Sequence, residues 1–403
     1  MALQRRSHMK SLAKLLFVFL FAWAPHASAQ QITGRFYPEK SQYLVGEPIV
    51  IVFEIVNKSP SAIEIAESGC PDFHEFEVDN ASPKRTIALY GCGRKPINID
   101  CLVGSVETPA GGKYRKRVLL EGDFNLSSPG NYHIRAKREQ PVHGEENDGL
   151  IANLKVASEF DVHLRVPNQG ELEIAYQPFF LDLRNRDIIV QSFAASAVTQ
   201  APPLFAEGAI LALANDPEIQ TASIEGLKRL ATPTSRSKLL EMASKTSPEY
   251  VRQPAIQAFG EIGNPQDCQA MLAIASVNKN YTQAEAYIIA GRICKEIAIP
   301  ALNRLVTTNN SQLLLGIAGG FANTSSRLAV SPLISLLQNS DRSAREAAVD
   351  GLAALTRRRS KYGVEDEDSA KQSYIEWSGW RSANSSTAPI YNSDQCSPPS
   401  PLT

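Results

Sequence analysis

The chain reads as an all-β sandwich followed by an all-α solenoid, and three observations carry that reading. Residues 31–166 hold short runs of β-branched and aromatic residues separated by turn chemistry, the pattern of a β-sandwich. Beyond the polar joint Gln169-Gly170-Glu171 the apolar spacing lengthens from two residues to about 3.6. Within that second part, apolar anchors recur at Ile224, Ile256, Tyr287 and Val349, gaps of 32, 31 and 62 residues, the last being two periods. A fixed period in this range marks units that cannot bury their own apolar faces and must stack on their neighbours.

The N-terminus precedes both parts. Arg5, Arg6, Lys10 and Lys14 form a basic segment, residues 15–24 an apolar run, and Ala27-Ser28-Ala29 a small-x-small cleavage site. Residues 1–29 therefore read as a secretory signal peptide cleaved after Ala29. The apolar run is shorter than the ~20 residues a spanning helix needs. The expectation is an extracytoplasmic protein, periplasmic or secreted, with no membrane span in the mature chain. A net charge of −1 over 403 residues argues against a nucleic-acid partner, which favours a basic surface. Hydrophobic residues at 43% are enough to build a core.

The β part has one dense strand at 49–55 and further strand-like runs at 62–66, 73–78, 86–90, 114–120, 132–136 and 160–166. Turns divide them, among others Val45-Gly46-Glu47-Pro48, Pro109-Ala110-Gly111-Gly112 and Ser128-Pro129-Gly130-Asn131. The α part reads as about six helix pairs over 172–358. One set of helices starts near Asp187, Pro217, Pro248, Thr282, Gln312 and Arg342; their partners span about 172–183, 203–214, 234–244, 265–276, 297–306 and 329–338. Small residues such as Ala222, Ala255, Ala286 and Ala348 stand where helices must approach. Gly316, Gly319 and Gly320 would each weaken a helix by about 1 kcal/mol, and are read as marks of tight packing rather than flexibility.

Particular phrases carry a family resemblance. Val251-Arg252, Ala255-Ile256 and Ala258-Phe259-Gly260-Glu261-Ile262-Gly263-Asn264 resemble the signature of HEAT repeats, and the short period resembles the HEAT-like subtype first named for phycobilisome lyases. The unit at 248–264 matches closely, that at 341–355 fairly, and the others are degenerate. The stretches from Tyr43 to Asn57 and from Ser128 to Arg135 resemble the opening and closing hairpins of bacterial exported immunoglobulin-like domains. Trp377-Ser378-Gly379-Trp380 resembles a segment that closes bacterial HEAT arrays. Residues 359–381 are thus a C-terminal cap in which Tyr374, Trp377 and Trp380 cover the last apolar face. Residues 382–403, rich in Ser, Pro and Asn, read as a disordered tail.

Candidate chemistry is sparse. Six cysteines in an exported chain favour disulfides. One bridge is expected among Cys70, Cys92 and Cys101, with Cys396 able to take the remaining thiol; a zinc site with His74 fits no standard spacing. Cys268, near the start of one helix, and Cys294, after the end of the next, lie where antiparallel neighbours meet, so a bridge is expected there. Arg357-Arg358-Arg359 with Lys361, followed by Glu365-Asp366-Glu367-Asp368, reads as solvated helix ends whose charges complement the dipoles. No catalytic, cofactor-binding or metal-ligating set is visible, so the expectation is a non-enzymatic scaffold docking a protein or peptide of the cell envelope. Arg252, Gln253, Arg345 and Glu346 are expected to face outward. The alternatives are a polysaccharide-binding or structural component of the envelope and, from the lyase resemblance, a bilin-lyase-like enzyme.

Overall fold

A computed structural model describes residues 31–68, 74–79, 103–120, 124, 126–144, 150–244, 246–384, 389–391 and 400–401. The chain divides into two compact units between Gln177 and Pro178.

The first unit is β-rich. Strands β1 (Ile32–Pro38), β3 (Val50–Asn57) and β7 (Lys113–Leu119) form an antiparallel sheet in the order β1-β3-β7. Its middle strand, VIVFEIVN, is buried at nearly every position, as expected of a strand flanked on both sides. A second sheet has the order β2-β9-β8-β4-β6, with β5 (Glu75–Val78) also pairing with β8. It comprises β2 (Gln42–Leu44), β4 (Ile63–Ser68), β6 (Val103–Thr108), β8 (Gly130–Gly144) and β9 (Leu150–Arg165). Along β8 the side chains alternate: Tyr132, Ile134, Ala136 and Val142 are buried, while Asn131, Arg135 and Lys137 lie on the other face. The inward residues of both sheets share one apolar core, including Phe36, Phe53, Ile55, Ile134, Val156 and Leu164. At Gly34 a Cβ would sit 2.4 Å from Val156 Cγ2, so β1 and β9 approach as only glycine permits. Gly46, at φ +86°, makes the expected turn before β3, and Gly111, at φ +71°, the turn before β7.

The structure corrects the strand reading in two ways. The runs at 132–136 and 160–166 are short pieces of one hairpin with strands of 15 and 16 residues. Their remainders carry Lys137, Glu139 and Lys155 on the solvent face and polar Arg138 and Gln140 on the buried one, so they lack the dense apolar signal of a two-sided strand. β1 and β6 were not legible as strands: β6 (VGSVET) holds only by pairing with β4 from Ile63↔Thr108 to Ser68↔Val103. The expected strand at 86–90 lies outside the described residues.

The second region is helical. Helix α1 (Glu171–Asp182) begins in the first unit, where the Tyr176 hydroxyl donates to the Gly46 carbonyl at 3.0 Å. The division therefore falls inside this helix rather than at the polar joint before it. Then follow α2 (Ile188–Gln200), α3 (Glu207–Leu213), α4 (Gln220–Leu230), α5 (Pro233–Met242), α6 (Glu249–Ile262), α7 (Cys268–Val277) and α8 (Asn280–Cys294). The last are α9 (Ile299–Asn303), α10 (Ser311–Asn323), α11 (Val330–Leu336), α12 (Arg342–Thr356) and α13 (Glu367–Asn384). Helices α2, α4, α6, α8, α10 and α12 pack each on the next, and the shorter helices between them cover one side.

Local chemistry sets the ends of these helices. The Asp187, Thr232, Asn310 and Asp341 side chains each accept from a backbone amide two or three residues on, satisfying donors the first turn leaves open. The start expected at Pro217 shifts to Gln220, because Asp216-Pro217-Glu218 forms a turn in which Asp216 Oδ1 accepts from the Glu218 amide at 3.1 Å. Ile224, Ile256 and Tyr287 are buried, and one period beyond Tyr287 stands fully buried Ala318. At the next period Val349 is only half-buried, and its neighbour Ala348 carries the contact.

The glycine-rich stretch is tightly packed. A Cβ on Gly291 would lie 2.0 Å from the Gly320 carbonyl oxygen, one on Gly316 2.4 Å from Ala284 Cα, and one on Gly320 2.7 Å from the Tyr287 carbonyl oxygen. Helices α8 and α10 thus touch backbone to backbone. The outward placement expected for Arg345 is wrong: its side chain is buried, and its guanidinium donates to the carbonyls of Val364, Asn339 and Ser340 at 3.0, 2.9 and 2.9 Å. Holding three carbonyls at a loop and helix start explains why a charged group is tolerated there.

Candidate interaction edges of the helical region

The long helices expose two sets of side chains that keep the repeat period. Tyr250 and Tyr281 are each the second residue of a long helix (α6 and α8), stand 31 residues apart, and are 59% and 58% exposed. Ile297 and Leu328 lie in the 3-10 turns leading into α9 and α11, again 31 residues apart, and are 58% and 61% exposed. Isolated exposed apolar residues are ordinary. Residues that recur at the repeat period occupy equivalent positions in successive long helices and turns. Sequence reasoning missed both pairs: the 31-residue spacing was visible, but it marks buried and exposed positions alike.

Charge distinguishes the second edge. Arg292, Lys295 and Arg327 accompany Ile297 and Leu328, and Arg357 to Arg359 continue beyond α12. Basic groups at helix C-termini complement the dipoles. The nearby Glu296 carboxylate is engaged by the Ser326 hydroxyl at 2.7 Å. Towards the N-terminal units the charges are paired: Lys228 reaches Glu225 at 2.8 Å and Glu261 of the next long helix at 3.4 Å, and Arg229 reaches Glu225 at 2.7 Å. Burial alone would raise the Glu225 carboxyl, but hydrogen bonds from Lys228 and Arg229 outweigh it and hold it below the usual range. Among the residues expected to face outward, Arg252 and Gln253 are half-buried, with the Arg252 guanidinium donating to the Ser247 carbonyl, and Glu346 is exposed.

The expected bridge is present: Cys268 opens α7, Cys294 closes α8, and their sulfurs are joined with Cα atoms 4.9 Å apart. Cys70, Cys92, Cys101 and Cys396 lie outside the described residues, as does the segment 1–29. The three expected cap aromatics all fall on α13. Trp377 is fully buried, Trp380 meets it edge-on at 5.4 Å between ring centroids, and Tyr374 is half-buried. The acidic run begins α13, where Asp366 accepts from the Ser369 amide at 2.8 Å and Glu367 and Asp368 occupy the first turn.

In the β-rich unit burial acts on Glu54 and His74, and structural contacts hold both. Glu54 is almost fully buried; burial would raise its carboxyl, but hydrogen bonds from Arg115 and Arg35, both at 2.7 Å, dominate and lower it. His74 sits among Phe36, Phe53 and Phe76, and burial, reinforced by the Arg138 and Lys116 charges, pushes its imidazole down to about 3. A groove beside β2 is lined by Lys40, Tyr43, Glu47, Arg165, Glu171 and Ile174, in which Lys40 pairs with Glu47 and Arg165 with Glu171. Among the described residues no group of three His, Cys, Asp or Glu side chains converges as a metal site. None of the described helices is long and apolar enough to cross a membrane.

Comparison with known proteins places a family on part of this geometry. The family model for HEAT repeats matches residues 206–288, the stretch from α3 through most of α8. The match supports HEAT repeats over those residues. The unit at 248–264 falls inside the match and the unit at 341–355 outside it. No curated protein matches the chain. Among solved structures the chain is similar to BslA, a bacterial hydrophobin, at 10% identity over 34% of this chain and 97% of that one, with a TM-score of 0.17. That likeness bears on neither fold nor function.

Proposed function

We propose that the chain is an exported, non-enzymatic scaffold: an immunoglobulin-like sandwich followed by a HEAT-like solenoid that docks a protein or peptide of the cell envelope. HEAT repeats in general mediate protein–protein interaction. The observation that carries the reading to particular residues is the period-matched exposure of Tyr250 with Tyr281 and of Ile297 with Leu328. Aromatic and large apolar side chains are the usual anchors of a protein interface, and a repeating array presents them in line. The continuous packing of α2 through α12 supports the solenoid, and two sheets sharing one core support the sandwich. Export rests on the reading of residues 1–29 as a cleaved signal; the buried Cys268–Cys294 bridge, which forms in an oxidising compartment, agrees with it.

The test is site-specific photo-crosslinking in the native host at Tyr250, Tyr281, Ile297 and Leu328, with exposed Glu173 and Lys371 as controls. A single adduct of constant mass from the paired positions, absent at the controls, is the expected outcome. If the four positions give no adduct, or give the same adducts as the controls, the docking surface is not there. Edman sequencing of the mature chain beginning at Gln30 is the expected result for export, and an intact Met1 overturns it.

A further inference from the structure

The segment around Tyr391 returns to the end of the helical array and is held there. The Tyr391 amide donates to the Leu355 carbonyl at 2.8 Å. That carbonyl lies in the last turn of α12, where no amide of the helix is left to reach it. The Arg357 guanidinium carbon stands 4.1 Å from the centroid of the Tyr391 ring, a cation–π arrangement. On one side, Arg327 Nη1 donates to the Asn384 carbonyl at 3.3 Å, at the end of α13. On the other, Arg358–Arg359 (β10) forms a short parallel ladder with Ser400–Pro401 (β11). Asn384, Tyr391 and Ser400–Pro401, within the tail expected to be disordered, are thus engaged with the helical region. The helix α13 itself also runs three residues beyond the expected cap boundary at 381, to Asn384.

We propose that the Leu355–Arg359 edge is a docking edge for an extended peptide, and that its resident occupant is this chain's own segment at Tyr391. The edge offers what an extended peptide recognises: a helix-end carbonyl for an amide, a guanidinium face for an aromatic ring, and a strand-like backbone for a ladder. The segment supplies the matching amide, ring and backbone. Its seat also covers a face of the Arg357 guanidinium with the Tyr391 ring, so an external partner reaches that face only once the segment is released.

Hydrogen–deuterium exchange on the full-length chain tests this. In the wild type the Tyr391 amide should exchange at least about tenfold more slowly than an unstructured amide. Tyr391→Phe keeps the ring and should keep the protection; Tyr391→Ala and Arg357→Gly should each abolish it. Arg357 sits at φ +52°, a conformation glycine adopts freely, so Arg357→Gly removes the ring partner without straining the helix end, and its thermal midpoint should not fall. Unprotected exchange of Tyr391 in the wild type overturns the proposal, and so does full protection surviving in both Tyr391→Ala and Arg357→Gly.

Discussion

Two successive helix contacts keep the same period and differ in what fills the gap. Between α6 and α8, the space over Gly260 is taken by the Ile289 side chain, whose Cδ1 would lie 2.4 Å from an added Cβ. Between α8 and α10, the space over Gly291 is taken by the Gly320 carbonyl. The first contact can yield because a side-chain end can rotate; the second cannot, because backbone is on both sides. A regular repeat in sequence therefore does not imply equal tolerance along the array. The unit that best matches the HEAT phrase is the more forgiving, and the unit that departs from it is the closer packed.

The largest effect should come from the rigid contact. Gly291→Val should cost more than about 3 kcal/mol, since overpacking cannot be relieved by a rotamer change. Denaturant unfolding followed by helical circular dichroism measures it, and a loss below about 1 kcal/mol would break the distinction between the two contacts. Next is the bridge that braces α8, the helix shared by both contacts. Replacing Cys268 and Cys294 together by Ala opens a loop spanning a separation of 26 residues. It should cost about 3 kcal/mol, chiefly through greater freedom of the unfolded chain. Unfolding of the double variant beside the reduced wild type is the check, and the two should agree. The yielding contact comes third: Gly260→Ala should cost about 1 kcal/mol or less, because Ile289 must move while the helix gains from replacing glycine. A cost equal to that of Gly291→Val would erase the comparison.

A pH effect extends the contrast to the β-rich unit, whose core holds ionisable groups. Folding lowers the His74 value from 6.5 to about 3, so the unfolded state binds more protons between those limits. The resulting stability is complete above about pH 6.5 and is lost as pH falls towards 3. Glu54 acts in the same direction below its ordinary value of 4.5. Unfolding of the β-rich unit should therefore become easier from pH 6.5 to pH 4, and His74→Gln should flatten that slope. No histidine stands in the helical region, so its unfolding should become easier only as pH falls below about 4.5, the ordinary value of Glu225. An unchanged slope in the variant would remove His74 from the account.

Much of the helical region was legible because its information is local. Asp187, Asn310 and Asp341 cap helices where the sequence placed starts, and the Cys268–Cys294 bridge follows from where two neighbouring helices end and begin. Arg345 misled because a charged residue on an amphipathic pattern reads as solvent-facing, whereas three carbonyls from elsewhere in the fold receive it. The long β8–β9 hairpin was under-read for the opposite reason: its charged solvent face hides a pairing that runs from Gly130↔Leu164 to Val142↔Ala152 and, past a register shift, to His143↔Leu150. The exposed pairs Tyr250/Tyr281 and Ile297/Leu328 were spaced legibly, but spacing alone does not say which face meets solvent.

The sequence by itself determined the order of a β-rich part and a helical part, the period of about 31 residues and the positions of most helix starts. These depend on residue-to-residue periodicity and on turn and cap chemistry, which act within a few positions of the chain. Only the tertiary structure decided which glycines are backbone contacts, which charged groups are buried, and that Tyr391 returns to Leu355. Each of these depends on what arrives from a distant part of the chain, and the free energy of a close contact belongs to the pair rather than to either residue alone.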